Sequence, residues 1–432
     1  MSEAELDAHT PHSPRRVLKG FLGILTGSAI AQLLAVAAIP VLSRLYTPAD
    51  TAHYAQLLGI GAVLASFAGL RLDLAIPIPE RTEESRALFW IAALSPFVVL
   101  PVTGIVVGAL HLAGVWRADS LDLVDYLAVA AFVVVLSLFA AAGQLAIRLR
   151  AYTVLSRIPV VQMTGTLIAQ IAFGLVGFGR GLFIGGLIGR SLGIAGLMRS
   201  CDVRVAQAPG RQETVHLLKK YWRFPLIFAP SSIIETLGWN LAAVMLPSLF
   251  GFGPAGLYAM AARVAGVPGT VLSQSAGQVF TGEFARTTTR QASLRVFFRW
   301  SVALGLMGLA VAVGIWIAAP LILPWLLGSE WTGTALLAQY TGVMAGAQIF
   351  ASPFHHVWEV RQRGFMLFSW NVLRLGATAA VIWFGAKSGE PLSVVVFYLM
   401  LVTAAVYGVS WLGCLWAAAR APANAGTAGT AP

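Results

Sequence analysis

The sequence predicts an all-α integral membrane fold, with twelve transmembrane helices in two pseudo-symmetric six-helix lobes. Three observations carry this expectation. Of the residues, 58% are hydrophobic and only 11% charged, and the mean hydropathy is +0.78. A soluble domain is about 45–50% apolar and about 25% charged. Apolar stretches recur along the chain at the length of about 20 residues that a helix needs to cross a hydrocarbon core of about 30 Å. A polar, basic segment at 199–223 then divides the chain, with six such stretches on each side.

Taken in order, residues 1–17 read as a polar N-terminal tail of mixed charge. The stretch 18–43 is too long for a signal-peptide core and reads as an uncleaved first span. Spans follow at 53–77, 87–113, 123–147, 157–178 and 181–199, completing a first lobe over 18–198. The segment 199–223 carries Arg199, Arg204, Arg211, Lys219, Lys220 and Arg223, and reads as a basic cytoplasmic linker. The second lobe, 224–418, holds spans at 224–250, 254–281, 298–327, 332–358, 365–386 and 392–418. The remainder, 419–432, is a low-complexity tail expected to be disordered. Strands are excluded because the apolar runs do not alternate as barrel strands do.

Charge fixes an expected orientation. Of the 29 Lys and Arg, 22 fall in the tails and loops on one side, and Arg44, Arg117, Arg180 and Lys387 on the other. The remaining three, Arg190, Arg263 and Arg374, lie inside spans. Lys and Arg gather in short cytoplasmic loops, so both termini and the linker are expected in the cytoplasm. The same bias accounts for the net charge of +11, and nucleic acid is not expected as a partner because no basic, aromatic-laced soluble domain is present. Cys201 and Cys414 are too far apart in character to suggest a disulfide or metal site.

The halves resemble each other. PVLSRLYTPADTAHYAQ (40–56) joins the first two spans and LPSLFGFGPAGLYAMAAR (246–263) the seventh and eighth. Each runs from a proline through an apolar turn to a Tyr-Ala pair, at Tyr54-Ala55 and Tyr258-Ala259. With an even number of spans per half, the repeats are parallel, an arrangement that puts a transporter's site between the halves at mid-depth.

LSRLYTP (42–48), RLDLAIPIPE (71–80), GPAGLYAMAARVAGVPG (253–269) and SQSAGQVF (273–280) resemble the polysaccharide and O-antigen flippases of the multidrug/oligosaccharidyl-lipid/polysaccharide exporter superfamily. The resemblance spans roughly 18–418. One departure is Ala52, where the family usually has Gly two residues before the first Tyr; the second repeat keeps Gly256. The resemblance implies translocation of undecaprenyl-pyrophosphate-linked oligosaccharide across the bacterial inner membrane by alternating access, for O-antigen, capsule or exopolysaccharide assembly. A polysaccharide polymerase and a chain-length regulator are the protein partners it suggests. The bilayer is the other partner.

Charged groups inside spans are costly and mark functional sites. Arg263 and Arg374 are expected to line a cationic substrate cavity, with Arg190 a further candidate, because a guanidinium fork matches pyrophosphate oxygens. Arg44, at the outer end of the first span, matches the family's Ser-Arg and is a candidate for the outer mouth. Glu235 reads as the one acid deep in a span, beside Ser231, Ser232, Pro225 and Pro230. It is the expected site of coupling to a proton or sodium gradient, the alternative being a static salt bridge. No cofactor is expected. His355 and Glu359 have metal-compatible spacing but lack a third ligand. Arg71 with Asp73 reads as a helix-end pair, and Asp119, Asp122 and Asp125 as a solvated helix start. Gly181, Gly185, Gly189 and Gly193 form a stripe for close helix packing, not a phosphate loop.

Three rivals are weaker. A cation-coupled drug exporter of the same superfamily predicts an acid-lined cavity, whereas in-span arginines outnumber Glu235. A major-facilitator transporter would carry its acidic-basic Gly-rich motif near ERTEESR (80–86), and it does not. A membrane polymerase or ligase acting on lipid-linked sugars would place catalytic acids in a large outer loop, and the outer loops are short.

Overall fold

The structure is a computed structural model that describes residues 14–112, 121–200 and 209–420, all helical or irregular, with no strand among them. The chain divides into two compact units. Met1–Tyr46 and Gln56–Thr236 form the first, Thr47–Ala55 and Leu237–Pro432 the second.

The first unit is built from α1 (Pro14–Ala37), α2 (Ile39–Leu45), most of α3 (Pro48–Ala68), α4 (Thr82–Leu94), α5 (Pro96–Leu112), α6 (Leu123–Arg148), α7 (Tyr152–Leu175), α8 (Gly181–Ser200), α9 (Arg211–Lys220) and the start of α10 (Ala229–Phe250). α7 packs on α8 along the glycine stripe. A Cβ on Gly185 would lie 2.8 Å from the Gln170 backbone nitrogen, and one on Gly189 2.4 Å from that of Thr166. The stripe therefore brings two backbones together, as its spacing predicts. The Tyr46 hydroxyl donates to the Gln170 carbonyl (2.7 Å) and pins the end of α2 against α7. Asp122 caps α6 in a reciprocal pair with Asp125, and both carboxylates face Arg180. These two acids are thus a helix start, as expected, but Asp125 is buried rather than solvated, because Arg180 and the cap of α6 enclose its carboxylate; Asp119 lies outside the described residues.

The second unit holds the opening of α3, the rest of α10, then α11 (Phe252–Phe284), α12 (Arg290–Leu327), α13 (Thr334–Ala351), α14 (His356–Val360), α15 (Gly364–Lys387) and α16 (Leu392–Ala418). Gly251 alone separates α10 from α11, and its φ of +85° is why glycine stands at this turn. The two repeat motifs meet here. A Cβ on Gly256 would come 1.8 Å from the Pro48 carbonyl oxygen, and His53 meets Phe252 edge-on. Glycine is retained where the second motif presses on the backbone of the first, while Ala52 is itself buried. A buried aromatic cluster of Phe280, Phe284, Phe297 and Phe354, continuing to Trp358, Trp370 and Tyr407, forms the unit's core.

Two features add detail to the sequence reading. Among the described residues ten helices are long and apolar enough to cross a membrane, and eleven if Thr26–Ala37 and Ile39–Leu45, bent by 41°, are one span. The expected twelve is not reached. Over 332–358 the chain forms α13 of 18 residues, a short turn (Ser352–His355) and α14. An 18-residue helix is about 27 Å long, short for a core of about 30 Å, and Gln339 and Gln348 dilute its apolar character.

The second concerns the linker. Residues 201–208, with Cys201 and Arg204, lie outside the described residues, but 211–220 is a helix docked on the first unit. Leu217 and Tyr221 are buried in the cluster that contains Leu88, Phe89 and Trp90 of α4. Lys220 pairs with Glu84, and the Tyr221 hydroxyl donates to the same carboxylate (3.0 Å). That contact raises the Lys220 pKa, chiefly through the Glu84 hydrogen bond. Part of the segment read as a basic linker is thus a helix anchored on one face.

Candidate functional site

Arg374 lies inside α15 and is only 6% exposed. Its guanidinium carbon sits 3.9 Å from the Trp239 ring centroid and 4.9 Å from that of Trp370. The Trp370 contact is local, because residues four apart share a helix face. Asn371, one turn before the arginine, is buried beside it. Trp239 comes from α10, where the neighbouring Gly238 leaves room: a Cβ there would lie 2.8 Å from Arg374 Nη2. Tyr407 of α16 hydrogen-bonds the guanidinium. Behind Trp370 lies His355, 4.1 Å between ring centroids; it stacks on Trp358 and shares a 3.2 Å hydrogen bond with Ser410.

Magnitudes explain how a membrane helix tolerates this cation. An arginine at mid-bilayer costs about 2.5–3.5 kcal/mol on insertion scales. A cation–π contact returns about 0.5–1 kcal/mol when exposed and about 2 or more when desolvated. Two contacts on one buried guanidinium are therefore of the size needed to offset the cost. Stacking occupies the faces of the guanidinium and uses none of its in-plane N–H donors, of which it has five. The aromatic setting can hold the charge while its donor edge serves acceptors such as Tyr407 or an incoming anion.

The other predicted residues have different surroundings. Arg44 is exposed in the last turn of α2. Arg190 is half-buried in α8, 5.3 Å from the Phe132 ring centroid, and its carbonyl accepts from Gln162 Nε2 (2.9 Å). Arg263 is half-buried in α11. Arg44 and Arg190 belong to the first unit, Arg263 and Arg374 to the second, and Arg374 alone of the four is buried. Glu235 is exposed on α10, so the expectation of a deeply buried acid is corrected. It lies near the middle of the apolar stretch Phe224–Phe250, but on a face that its own unit leaves open. His356, not His355, contacts Glu359 (2.7 Å). Among the described residues no three His, Cys, Asp or Glu are grouped to hold a metal.

The family described as "Polysaccharide biosynthesis protein" matches residues 41–336, more than half of the chain. The chain belongs to this family. Among curated relatives, the succinoglycan biosynthesis transport protein ExoT of Rhizobium meliloti is 24% identical over 392 residues, 87% of this chain and 75% of ExoT. The lipopolysaccharide biosynthesis protein WzxC of Escherichia coli is 23% identical over 194 residues, 45% of this chain and 39% of WzxC. In solved structures the fold recurs in the lipid II flippase MurJ (TM-score 0.62, 12% identity, 90% of this chain and 86% of MurJ). It recurs also in a multidrug-resistance MATE transporter of the MOP superfamily (TM-score 0.60, 14% identity, 90% and 98%). The all-α fold of this polysaccharide biosynthesis family member is therefore shared with these two structures.

The sequence offered Arg374 through its cost inside a span; Trp370 was not singled out, although its four-residue spacing was a signal that could have found it. It gave no signal for Tyr407 or His355 as neighbours, because these come from α16 and from the turn after α13, and only packing brings them to α15.

Proposed function

We propose that this protein is a flippase that carries an undecaprenyl-pyrophosphate-linked oligosaccharide from the cytoplasmic to the periplasmic leaflet of a bacterial inner membrane, for surface polysaccharide assembly. The observation that carries the proposal is Arg374, a cation buried mid-helix in a member of a polysaccharide biosynthesis family. The pyrophosphate is the anion that Arg374 takes up through its N–H edge, and Arg263, Arg190 and Arg44 are further contacts along the path. Alternating access exposes this site to one leaflet and then the other. Both termini and the 199–223 linker lie in the cytoplasm, and a polysaccharide polymerase and a chain-length regulator take up the flipped product on the periplasmic side. Glu235, exposed on α10, exchanges the proton or sodium ion whose gradient drives the cycle. This is transport, with no covalent step for the chain to catalyse.

The test is complementation of a flippase-null strain with Arg→Ala, Arg→Lys and Arg→Glu at Arg263 and at Arg374. Lys is expected to rescue in part, since it keeps the charge and loses the fork; Ala and Glu are expected to fail and to leave lipid-linked sugar on the cytoplasmic face. Arg374→Glu protein made at normal levels and still supporting surface polysaccharide would refute the assignment.

A further inference from the structure

Trp239 is an unusual tryptophan. It stands near the middle of the apolar stretch Phe224–Phe250, not at an end where indoles anchor a membrane interface. It is 48% exposed, although one of its faces is covered by Arg374 at 3.9 Å. The cation takes one face of the ring, and the exposed surface is what it leaves free. Glu235 lies four residues earlier and is also exposed, and residues at this spacing share a helix face. An exposed carboxylate at that depth is too costly against lipid tails, so this face of α10 meets water and the indole lines it.

We infer that Trp239 is a sugar platform: a pyranose ring of the cargo stacks on its open face while the pyrophosphate reaches Arg374 behind it. This rests on the flippase reading above and deepens it. The chemistry fits the geometry. The axial C–H groups of a sugar ring are weakly positive and pack on the negative face of an aromatic quadrupole. A platform of this kind reads the presence of a saccharide rather than its hydroxyl pattern. Trp239 and Arg374 would then sense the two chemically distinct parts of one ligand from adjoining positions, and distinguish a loaded carrier from a bare one.

The experiment compares the affinities of the purified full chain for two probes, undecaprenyl pyrophosphate and the undecaprenyl-pyrophosphate-linked oligosaccharide isolated from a flippase-null strain. The readout is the ratio of the two affinities, in wild type, Trp239→Phe and Trp239→Leu, with Trp239→Gln giving the same comparison if the Leu protein is not recovered folded. The preference for the glycosylated lipid is expected to fall roughly tenfold in the Leu or Gln variant, about 1.4 kcal/mol, and to persist in the Phe variant. An equal loss for both lipids would show that Trp239 only props Arg374, and an unchanged ratio would show that nothing stacks there; either overturns the platform while leaving the flippase reading intact. Wild-type protein that binds neither lipid overturns the flippase reading itself, and the platform with it.

Discussion

Gly189 gives the sharpest test of how the first unit is held together. A methyl group at this position would lie 2.0 Å from Thr166 Oγ1, 2.4 Å from the Thr166 backbone nitrogen and 2.6 Å from the Gln162 carbonyl oxygen. Rotation of the threonine relieves only the first contact. The other two are backbone, so α7 and α8 must separate by about an ångström to reach an ordinary contact distance. Overpacking of a well-fitted interface costs about 1–3 kcal/mol, and Gly189→Ala is expected near the upper end because the strain falls on rigid helices. Gly196 lies on the same helix with nothing within 4 Å of a built Cβ. There alanine relieves only the entropic penalty of a helical glycine, up to about 1 kcal/mol, so Gly196→Ala should be neutral or mildly stabilising. The assay is thermal unfolding of the detergent-solubilised protein, followed by size-exclusion recovery after heating. Gly189→Ala should melt well below wild type and Gly196→Ala at or above it. If the two variants melt together, the reasoning from close backbone approach is wrong.

Other outcomes follow from individual contacts. Glu84→Ala should release α9 and speed protease cleavage within 199–223, with little change in global stability because Lys220 is exposed and such pairs are weak. The raised Lys220 pKa means that the charged pair is intact at neutral pH and is lost only as pH rises through that raised value. Wild-type cleavage should therefore be slow from pH 6 to 9, approaching the Glu84→Ala rate only in stronger base, and a wild-type rate that climbs across the neutral range would argue against this anchor. Glu235→Gln should uncouple uptake in vesicles from an imposed proton or sodium gradient, since an amide exchanges neither ion; full gradient dependence in the variant would exclude the residue. Cysteine labelling in intact cells should reach position 387 from outside and leave the 199–223 linker unlabelled, the reverse pattern overturning the orientation.

What the sequence determined by itself was whatever depends on local sums and fixed spacing. A helix in hydrocarbon must satisfy its own backbone, so long apolar runs were enough to establish an all-α membrane fold. The four-residue spacing from Gly181 to Gly193 placed one small-residue stripe on one face of α8, and the cost of a charge inside a span singled out Arg374. Even the meeting of the two Tyr-Ala motifs had a trace, in the Gly256 that the second copy keeps. Tertiary structure decided what hydropathy cannot encode. Whether 332–358 is one span or a shorter helix and a turn depends on where Ser352 and Pro353 break the chain. Whether 211–220 is a tether or a docked helix depends on Glu84, more than a hundred residues away. Glu235 read as buried because its neighbours in sequence are apolar, and it is exposed because burial is set by neighbours in space. Arg374 depends on the same distinction: its cost was written in α15, but the Trp239 ring and the Tyr407 hydroxyl that help make the charge tolerable come from α10 and α16, and only packing could bring them to it.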